Sequence, residues 1–366
     1  MKKIAILGQG QLATMLIESA DNLALEVKAF PLPAINQNGL TDQAEISRYC
    51  DQLKHFDVVS FEIENIAVEL LTAIQAMQSV SVYPSIQALA VAQDRLNEKN
   101  TFNYLNIPTN SFFEINNYQD LRDAASELHY PFVLKTRRFG YDGKGQMLVK
   151  NSIEQEIAWK KLSNHPLIAE QWVDFDYEVS QIASRDHQGN IAYYPLVRNE
   201  HRSGILRETH VIAIDKPLSD QAQNISAKLL TYFNYVGTFT IEFFVKANKL
   251  YANEIAPRVH NSGHWSIDGA TTSQFENHMR AIAGLGVKPV STSKAHAMMI
   301  NLIAEDVPVT LIANDYIKPK SYGKTWREGR KMGHINIVAD NKQDFLKAYN
   351  EVYSSIDAKP CWSYIA

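Results

Sequence analysis

The segment KTRRFGYDGKGQ, residues 135–146, lies between two apolar runs, YPFVLKT and GQMLV, that predict a pair of strands. Its glycines are Gly140, Gly143 and Gly145. Glycines allow a backbone to approach a ligand closely, and Lys135 and Lys144 add positive charge. The segment does not match the P-loop pattern, because Gln146 stands where that pattern has a lysine. We interpret it as a hairpin loop that covers phosphates, and a solvated turn with surface lysines is the alternative.

Two later strands each carry a glutamate that extends this interpretation. Glu242 lies in TIEFFV, and Glu254 lies beside Asn253 in YANEIAPR. A hairpin between these strands would bring both carboxylates onto one face. Carboxylate and amide oxygens suit Mg²⁺ bound to nucleotide phosphates, and no His/Cys cluster indicates zinc. A glutamate pair alone is often only a polar face, but after the glycine-rich loop it predicts a nucleotide–magnesium site.

The next segment, NEIAPRVHNSGHW, is rich in hydrogen-bond donors. It contains Arg258, His260, Asn261, Ser262 and His264 directly after the proposed metal ligand. Such a loop at a strand end favours recognition of a small anion or an oxyanion, with Arg258 as the natural charge. For His264, a structural histidine with satisfied hydrogen bonds is an equal alternative.

The N-terminal turn GQGQLA opens a helix predicted from Gln11 to Ala20. Its G-x-G-x-x-A pattern, Gly8, Gly10 and Ala13, places backbone N–H groups where a phosphate can bind. A dinucleotide site also needs an acidic residue after the second strand, but that strand ends Phe30-Pro31-Leu32. We therefore favour a different phosphate-bearing ligand, with a turn that only serves packing as the alternative.

The segment from Lys318 to Lys331 is strongly basic. It contains six basic side chains against the single acidic Glu328, whereas the whole chain has a formal net charge of −4. This distribution gives no global attraction to nucleic acid or to an anionic membrane. We expect a phosphate pocket for a small substrate, and we expect no nucleic-acid partner.

Composition sets the broad class of the protein. Its 366 residues suffice for two or three domains of roughly 150 residues each. Hydrophobic residues at 45% and charged residues at 21% exclude disordered and fibrous classes. Cys50 and Cys361 are too few for a disulfide framework, and no segment approaches the roughly 18 apolar residues of a membrane span. We expect a cytoplasmic protein.

The order of predicted elements divides the chain into three regions. Residues 1–94 alternate strands and helices, which predicts an α/β region with a parallel sheet. Residues 95–290 predict an α+β region with mainly antiparallel strands. Residues 291–366 predict a small β-rich region that begins with HAMMINLI.

The chain resembles the 5-(carboxyamino)imidazole ribonucleotide synthetases, which are ATP-grasp ligases of purine synthesis. The resemblance rests on an ordered series of motifs that runs nearly end to end: GQGQLA, FEIENI, QDRLNEK, GYDGKGQ, AEQWV, NEHRSGIL, GTFTIEFF, NEIAPRVHNSGHWSID and RKMGH. It implies a Rossmann-like pre-ATP-grasp region, a two-lobed ATP-grasp region, a small C-terminal region and a homodimer. It also implies that ATP and bicarbonate carboxylate aminoimidazole ribonucleotide, with ADP and phosphate as the other products.

The resemblance assigns roles to individual residues. For ATP it implies Arg95, Lys135, Gly140, Tyr141, Asp142, Gly143, Lys144, Gly145, Gln146, Glu170, Gln171, Trp172, Val173, Glu178, His201, Asn253 and Glu254. For the ribonucleotide and bicarbonate we assign Gly8, Gly10, Gln11, Leu12, Tyr141, Asp142, Arg258, His260, Asn261, Ser262, Lys324, Arg330 and Lys331. Glu242 and Glu254 would hold Mg²⁺ or Mn²⁺, and we assign catalytic roles to Arg258, Asp142 and Lys331.

Other functions stay open on the sequence alone. A related ATP-grasp ligase with a different acceptor shares the same ATP residues. The missing ribose acid argues against a nicotinamide oxidoreductase, and the Glu242/Glu254 pair argues against a catalytically inactive nucleotide-binding regulator.

Overall fold

The computed structural model describes residues 1–36, 39–140, 143–311 and 313–361. The N-terminal region forms a parallel sheet in the order β2-β1-β3-β4 with helices around it. Its elements are β1 (Lys2–Leu7), α1 (Gln11–Ala20), β2 (Leu25–Phe30), α2 (Gln43–Leu53), β3 (Val58–Phe61), α3 (Val68–Ala76), β4 (Ser81–Val82) and α4 (Ile86–Ala92). The predicted parallel sheet is confirmed, as are the bounds of α1 and the end of β2 at Phe30.

Burial explains why the N-terminal strands form a parallel sheet. All four residues of β3 are buried, and so are Ile4 to Leu7 of β1. Strands covered on both faces are continuously apolar, and the runs IAIL and VVSF fit that rule. Helix α1 supplies part of the cover, because Leu12, Met15 and Leu16 pack into the same core.

A second sheet of four antiparallel strands follows, in the order β5-β8-β6-β7. Its strands and the adjoining helices are α5 (Arg95–Tyr104), β5 (Phe112–Ile115), α6 (Tyr118–Leu128), β6 (Phe132–Thr136), β7 (Gln146–Val149), α7 (Ser152–Leu162) and β8 (Leu167–Gln171). The pairing of β6 with β7 confirms the predicted hairpin around the glycine-rich loop. Lys135 pairs with Gln146 at the loop end of this hairpin, so both residues lie at the base of the loop.

The third sheet has nine strands and extends through the rest of the chain. Its strands are β9 (Tyr177–Arg185), β10 (Ile191–Tyr193), β11 (Val197–Arg202), β12 (Ile205–Val211), β13 (Gly237–Lys246), β14 (Lys249–Ala256), β15 (His296–Ile303), β16 (Ile317–Ser321) and β17 (Lys331–Ala339). The order is β14-β13-β9-β11-β12-β15-β17-β16, and β10 pairs with β9. The sheet crosses the predicted division between residues 290 and 291, because β12 pairs with β15.

Four further helices accompany the nine-stranded sheet. They are α8 (Lys216–Tyr232), α9 (Ser266–Gly269), α10 (Gln274–Ala283) and α11 (Lys342–Ser355). The C-terminal region is therefore not purely β, because α11 packs Phe345 and Val352 against β15 and β17. No helix in the described part of the chain is long and apolar enough to cross a membrane.

Candidate active site

A cleft of about 680 Å³ lies between the N-terminal region, the four-stranded sheet and the nine-stranded sheet. Many of the residues assigned from the sequence line it. They are Gln11, Leu12, Arg95, Lys135, Gly140, Gly143, Lys144, Gln146, Glu170, Gln171, Trp172, Val173, Glu178, His201, Glu242, Asn253, Glu254, Arg258, His260, Asn261 and Lys331. The fold thus brings together side chains that lie up to 320 positions apart, as Gln11 and Lys331 do.

Some assigned residues lie elsewhere. Gly8, Gly10, Gly145, Ser262, Lys324 and Arg330 are outside the cleft lining. Tyr141 and Asp142 lie outside the described residues, so their assignments stay predictions from the sequence.

The glycine turn before α1 is occupied by a carboxylate of the protein itself. The Glu62 carboxylate accepts hydrogen bonds from the backbone N–H of Gly10 and, at 2.7 Å, of Ala13. Gly8 has a φ of +120°, and a Cβ there would lie 2.3 Å from Glu62 Cγ. Since the amides at this helix start already bind a carboxylate, they are not free to bind a dinucleotide pyrophosphate. Of the residues at this turn, Gln11 and Leu12 line the cleft.

A buried ion cluster forms one wall of the cleft. Lys135 Nζ lies 3.0 Å from Glu170 Oε2, and Asn110 Nδ2 donates to the same oxygen at 3.2 Å. Burial by itself raises the pKa of Glu170, but the charges of Lys135 and Lys99 outweigh it and hold this pKa well below its ordinary value. Glu170 Oε1 is buried and accepts no hydrogen bond among the described residues. This wall of the cleft therefore offers a hydrogen-bond acceptor that a donor group of a ligand can use.

The predicted hairpin places two carboxylates side by side. Glu242 on β13 and Glu254 on β14 are direct partners in the antiparallel ladder. Burial and the charge of Glu254 raise the pKa of Glu242 to about 8. Arg95 Nη1 lies 3.3 Å from Glu254 Oε2, so one of the two carboxylates has a cationic partner.

This carboxylate pair fits a divalent cation. Two like charges in a buried place are costly, and a cation between them relieves the repulsion. No group of three or more His, Cys, Asp or Glu side chains in the described ranges forms a complete metal-binding cluster. Phosphate oxygens and water would therefore supply the remaining ligands, as is usual for Mg²⁺.

A β-bulge turns Asn253 toward the same cleft. The ladder passes from the Glu242–Glu254 pair directly to the Phe243–Ala252 pair, so Asn253 has no partner opposite it. Successive residues of a regular strand face opposite sides, whereas a bulge re-aims a side chain. Asn253 and Glu254 consequently both line the cleft.

His201 lies across the cleft on β11. Its Nδ1 is 2.6 Å from Glu178 Oε2. Burial lowers the pKa of this histidine, but the hydrogen bond to Glu178 and the charge of Glu242 raise it to about 9. His201 is therefore a cation at neutral pH and adds positive charge near the carboxylate pair.

The predicted anion loop also contributes to the cleft, through Arg258, His260 and Asn261. Arg258 forms an ion pair with Glu64, which follows β3, so its charge is shared with the N-terminal region. His260 Nε2 lies 3.5 Å from Glu242 Oε1, and His260 Nδ1 lies 2.8 Å from Ser262 Oγ. Burial and the charge of Arg258 hold the pKa of His260 well below its ordinary value.

Lysines of the basic segment approach the cleft beside the glycine turn. Lys324 Nζ donates to Gln11 Oε1 and, at 3.3 Å, to the backbone oxygen of Lys331. Burial and the charge of Arg330 lower the pKa of Lys324 to about 8. Gln11 and Lys331 line the cleft directly, so this corner contains cationic and amide groups together.

The comparison of the chain with families of known proteins divides it in three. The ribonucleotide synthetase preATP-grasp domain matches residues 1–93, and the ATP-grasp domain matches residues 100–275. The phosphoribosylaminoimidazole carboxylase C-terminal domain matches residues 297–348.

Full-length relatives decide the family. The chain is 38% identical over 368 aligned residues to N5-carboxyaminoimidazole ribonucleotide synthase of Pseudomonas aeruginosa, covering 97% of this chain and 100% of that one. It is 36% identical to the same synthase of Vibrio cholerae, covering 98% of this chain and 96% of that one. The chain belongs to the N5-carboxyaminoimidazole ribonucleotide synthase family. The resemblance to this family that was inferred from the sequence motifs is confirmed.

Solved structures of N5-carboxyaminoimidazole ribonucleotide synthases share the fold. That of Thermus thermophilus is 34% identical, with a TM-score of 0.88 and coverage of 98% of this chain and 100% of that chain. A synthase from Aspergillus clavatus, in complex with ADP and 5-aminoimidazole ribonucleotide, is 26% identical with a TM-score of 0.81. It covers 97% of this chain and 98% of that one. The predicted ATP-grasp architecture is therefore confirmed.

Several residues in or next to the cleft of this member of the synthase family escaped the sequence analysis. Glu64, Glu98, Asn110, Phe175 and Phe244 line the cleft, whereas Glu62 and Lys99 are outside its lining. Phe175 and Phe244 stack at 4.7 Å between ring centroids and both line the cleft. FEIENI and QDRLNEK contain four of these residues, and both motifs belong to the resemblance. Those motifs were the available signal, although their buried contacts follow only from the tertiary structure.

Proposed function

We propose that this chain catalyses the ATP-dependent carboxylation of 5-aminoimidazole ribonucleotide to the N5-carboxyamino product, with ADP and phosphate released. The observation that supports this most strongly is the single cleft into which both predicted sets of residues project. The nucleotide set includes Lys135 and Glu254, and the ribonucleotide set includes Arg258 and Lys331. Two substrates bound there would meet beside the carboxylate pair.

The chemistry needs ATP because bicarbonate is a poor electrophile. A bicarbonate oxygen attacks the γ-phosphorus, the bond to the β-phosphate oxygen breaks, and ADP leaves as carboxyphosphate forms. The substrate amine then attacks the activated carboxyl carbon, or carbon dioxide released from it. Phosphate leaves and the amine loses a proton. No covalent bond to the protein is required, so positioning and charge provide the catalysis.

The chain's own residues account for that positioning. Lys135 and Lys144 bring positive charge to the phosphate side of the cleft, and His201 adds a further cation. Glu242 and Glu254 would hold Mg²⁺, which neutralises phosphate charge when bound. Arg258 would bind the bicarbonate-derived anion, in exchange for its contact with Glu64.

The ribonucleotide would bind in the corner of the cleft near the glycine turn. Lys331 and Lys324 are assigned to the phosphate of the ribonucleotide, and Gln11 is assigned to a polar contact. Lysine acts there as a compact point charge that tolerates several phosphate orientations.

A coupled assay tests the proposal directly. Purified protein is incubated with ATP, Mg²⁺, bicarbonate and 5-aminoimidazole ribonucleotide, and phosphate release is measured together with the carboxylated product. We expect phosphate release that depends on both co-substrates. If phosphate release is independent of the ribonucleotide, or if another acceptor replaces it, the proposal fails in favour of a different ATP-grasp ligase.

The proposal includes finer statements about the working protein. We infer that it uses Mg²⁺ or Mn²⁺, takes bicarbonate as its carbon source and acts in the cytoplasm as a homodimer. We further infer that the chain divides into a pre-ATP-grasp domain at residues 1–94, an ATP-grasp domain at 95–290 and a C-terminal β-rich domain at 291–366. Light scattering of the purified protein tests the dimer, and titration of each metal into the coupled assay tests the metal.

A further inference from the structure

Lys99 is a buried cation next to the cleft. Its side chain on α5 is 1% exposed. Its Nζ lies 2.8 Å from Asn110 Oδ1, 2.9 Å from Thr109 Oγ1 and 3.7 Å from Glu170 Oε2. A buried ammonium costs several kcal/mol unless acceptors surround it, so this degree of coordination indicates a specific task.

The same ammonium also binds the strand that carries the proposed metal ligand. It donates to the backbone oxygen of Asn253 at 3.0 Å and to that of Ala252 at 3.2 Å. These are the residues of the β14 bulge, where the ladder with β13 is interrupted. At a bulge the ladder no longer fixes the backbone, so an external donor can determine its direction.

Helix α5 holds this part of β14 through three side chains on one face. Arg95 binds the Glu254 carboxylate, Glu98 accepts from the backbone N–H of Ile255 at 2.6 Å, and Lys99 donates to Asn253. Positions i, i+3 and i+4 lie next to one another on a helix, which explains why one short segment can hold the strand.

We propose that Lys99 is a positioning residue that fixes the β14 bulge so that Asn253 and Glu254 both face the bound nucleotide and its metal. This inference rests on the proposed nucleotide–metal site. Lys99 itself does not line the cleft, so it acts through the two residues that do.

The opposite wall of the cleft has its own support. Asn110 Nδ2 donates to the backbone oxygen of Gln171 at 3.0 Å, and Lys135 binds Glu170 at 3.0 Å. Lys99 also contacts Asn110 and Glu170, but the two bonds named here are made by other groups and can persist without it, whereas its bond to the Asn253 carbonyl is lost. Loss of Lys99 should therefore weaken the metal-dependent part of nucleotide binding more than the metal-independent part.

Calorimetry on Lys99→Met with two forms of one nucleotide tests this. ADP is titrated once with excess Mg²⁺ and once in EDTA. We expect Mg²⁺–ADP to bind at least about tenfold more weakly than to the wild type, which is the usual effect of removing a group that orients a metal ligand. Metal-free ADP should change by less than about twofold. Lys294→Met, which removes an exposed lysine paired with Asp340, is the matched control and should change neither value.

Each other outcome has a defined meaning. An equal loss for both forms of ADP, or no loss for either, would overturn the positioning role. If Lys99→Met does not fold, Lys99→Arg keeps the positive charge but changes the shape of the donor group. It should show the same selective loss, and normal binding of Mg²⁺–ADP by that variant would refute the proposal. Wild-type protein that binds neither form would instead contradict the proposed function.

Discussion

Glu242 and Glu254 lie directly opposite each other in the β13–β14 ladder, and both line the cleft. Arg95 lies 3.3 Å from Glu254, whereas His260, at 3.5 Å from Glu242, is kept uncharged because burial and the charge of Arg258 hold its pKa well below the ordinary value. Burial and the charge of Glu254 raise the pKa of Glu242 to about 8, so the pair is poorly compensated by the protein alone. A bound divalent cation would complete the charge balance.

Glu254→Gln should abolish metal-dependent turnover while the fold persists. The substitution removes the negative charge of a proposed metal ligand and also removes the ion-pair partner of Arg95. We expect kcat to fall by at least about 100-fold, since even groups behind the ligands can contribute that much. Phosphate release in the coupled assay measures the effect, and circular dichroism checks the fold. Glu156→Gln, an exposed site on α7, is the matched control, and near-normal turnover of Glu254→Gln would exclude the metal assignment.

Lys331→Met should mainly weaken binding of the ribonucleotide. Lys331 lines the cleft at the start of β17, and Lys324 connects its backbone oxygen with Gln11. We expect the KM for the ribonucleotide to rise roughly tenfold, corresponding to about 1.4 kcal/mol for a lost charge-assisted contact, with little change in the KM for ATP. Lys347→Met on the exposed side of α11 serves as control. Equal changes in both KM values would argue that Lys331 supports the whole cleft.

The KM for the ribonucleotide should increase with pH. Burial and the charge of Arg330 lower the pKa of Lys324 to about 8, so the free protein loses this cation as the pH rises through 8. Binding of a phosphate requires the protonated form, and at pH 9 only about a tenth of the molecules would retain it, so KM should rise roughly tenfold. Kinetics at pH 7, 8 and 9 measure this rise. Lys324→Arg keeps its charge and should flatten the profile, whereas a wild-type KM independent of pH would rule out the assignment.

Glu170→Gln should destabilise the protein. The substitution leaves the ammonium groups of Lys135 and Lys99 without their shared carboxylate, and breaking a buried pair costs about 3 kcal/mol or more. Urea unfolding at pH 7 measures the loss, and Glu156→Gln should stay within about 0.5 kcal/mol of wild type.

The sign of the pH effect gives a second check on Glu170. Its pKa in the folded protein is below the ordinary value, because Lys135 and Lys99 outweigh the effect of burial. Its stabilisation is therefore present above the unfolded-state pKa of about 4.3 and is lost as the pH falls below it. The difference in free energy of unfolding between wild type and Glu170→Gln should become smaller below about pH 4. A difference that does not change with pH would mean that the carboxylate charge is not the stabilising group.

The sequence predicted the local elements of the fold with particular success where apolar spacing was regular. Helix α1, Gln11–Ala20, has the predicted bounds. The facing of Glu242 and Glu254 also followed from strand pattern and a short connection. Such features depend on neighbouring residues, so they can be inferred from the sequence alone.

Features that depend on distant contacts could not be predicted in this way. Glu62 occupies the amides of the glycine turn, and nothing in the pattern of GQGQLA indicates a carboxylate 52 positions away. Lys99 is one of several charged residues in QDRLNEK, and nothing in that motif indicates that its side chain is buried. The bulge at Asn253 interrupts the ladder by one residue, which alternation of apolar residues does not indicate.

The pairing of β12 with β15 has a mechanical consequence. Glu208 to Val211 pair with Ile300 to Ala297, so the strands that carry the carboxylate pair and the strand that begins at Lys331 belong to one hydrogen-bonded body. Swinging the C-terminal region away would break that ladder. The sheet β5-β8-β6-β7, which carries Lys135 and the glycine-rich loop, lies outside it. The carboxylate pair and Lys331 therefore cannot separate without breaking the nine-stranded sheet. We expect nucleotide entry to depend on movement of the sheet β5-β8-β6-β7 alone.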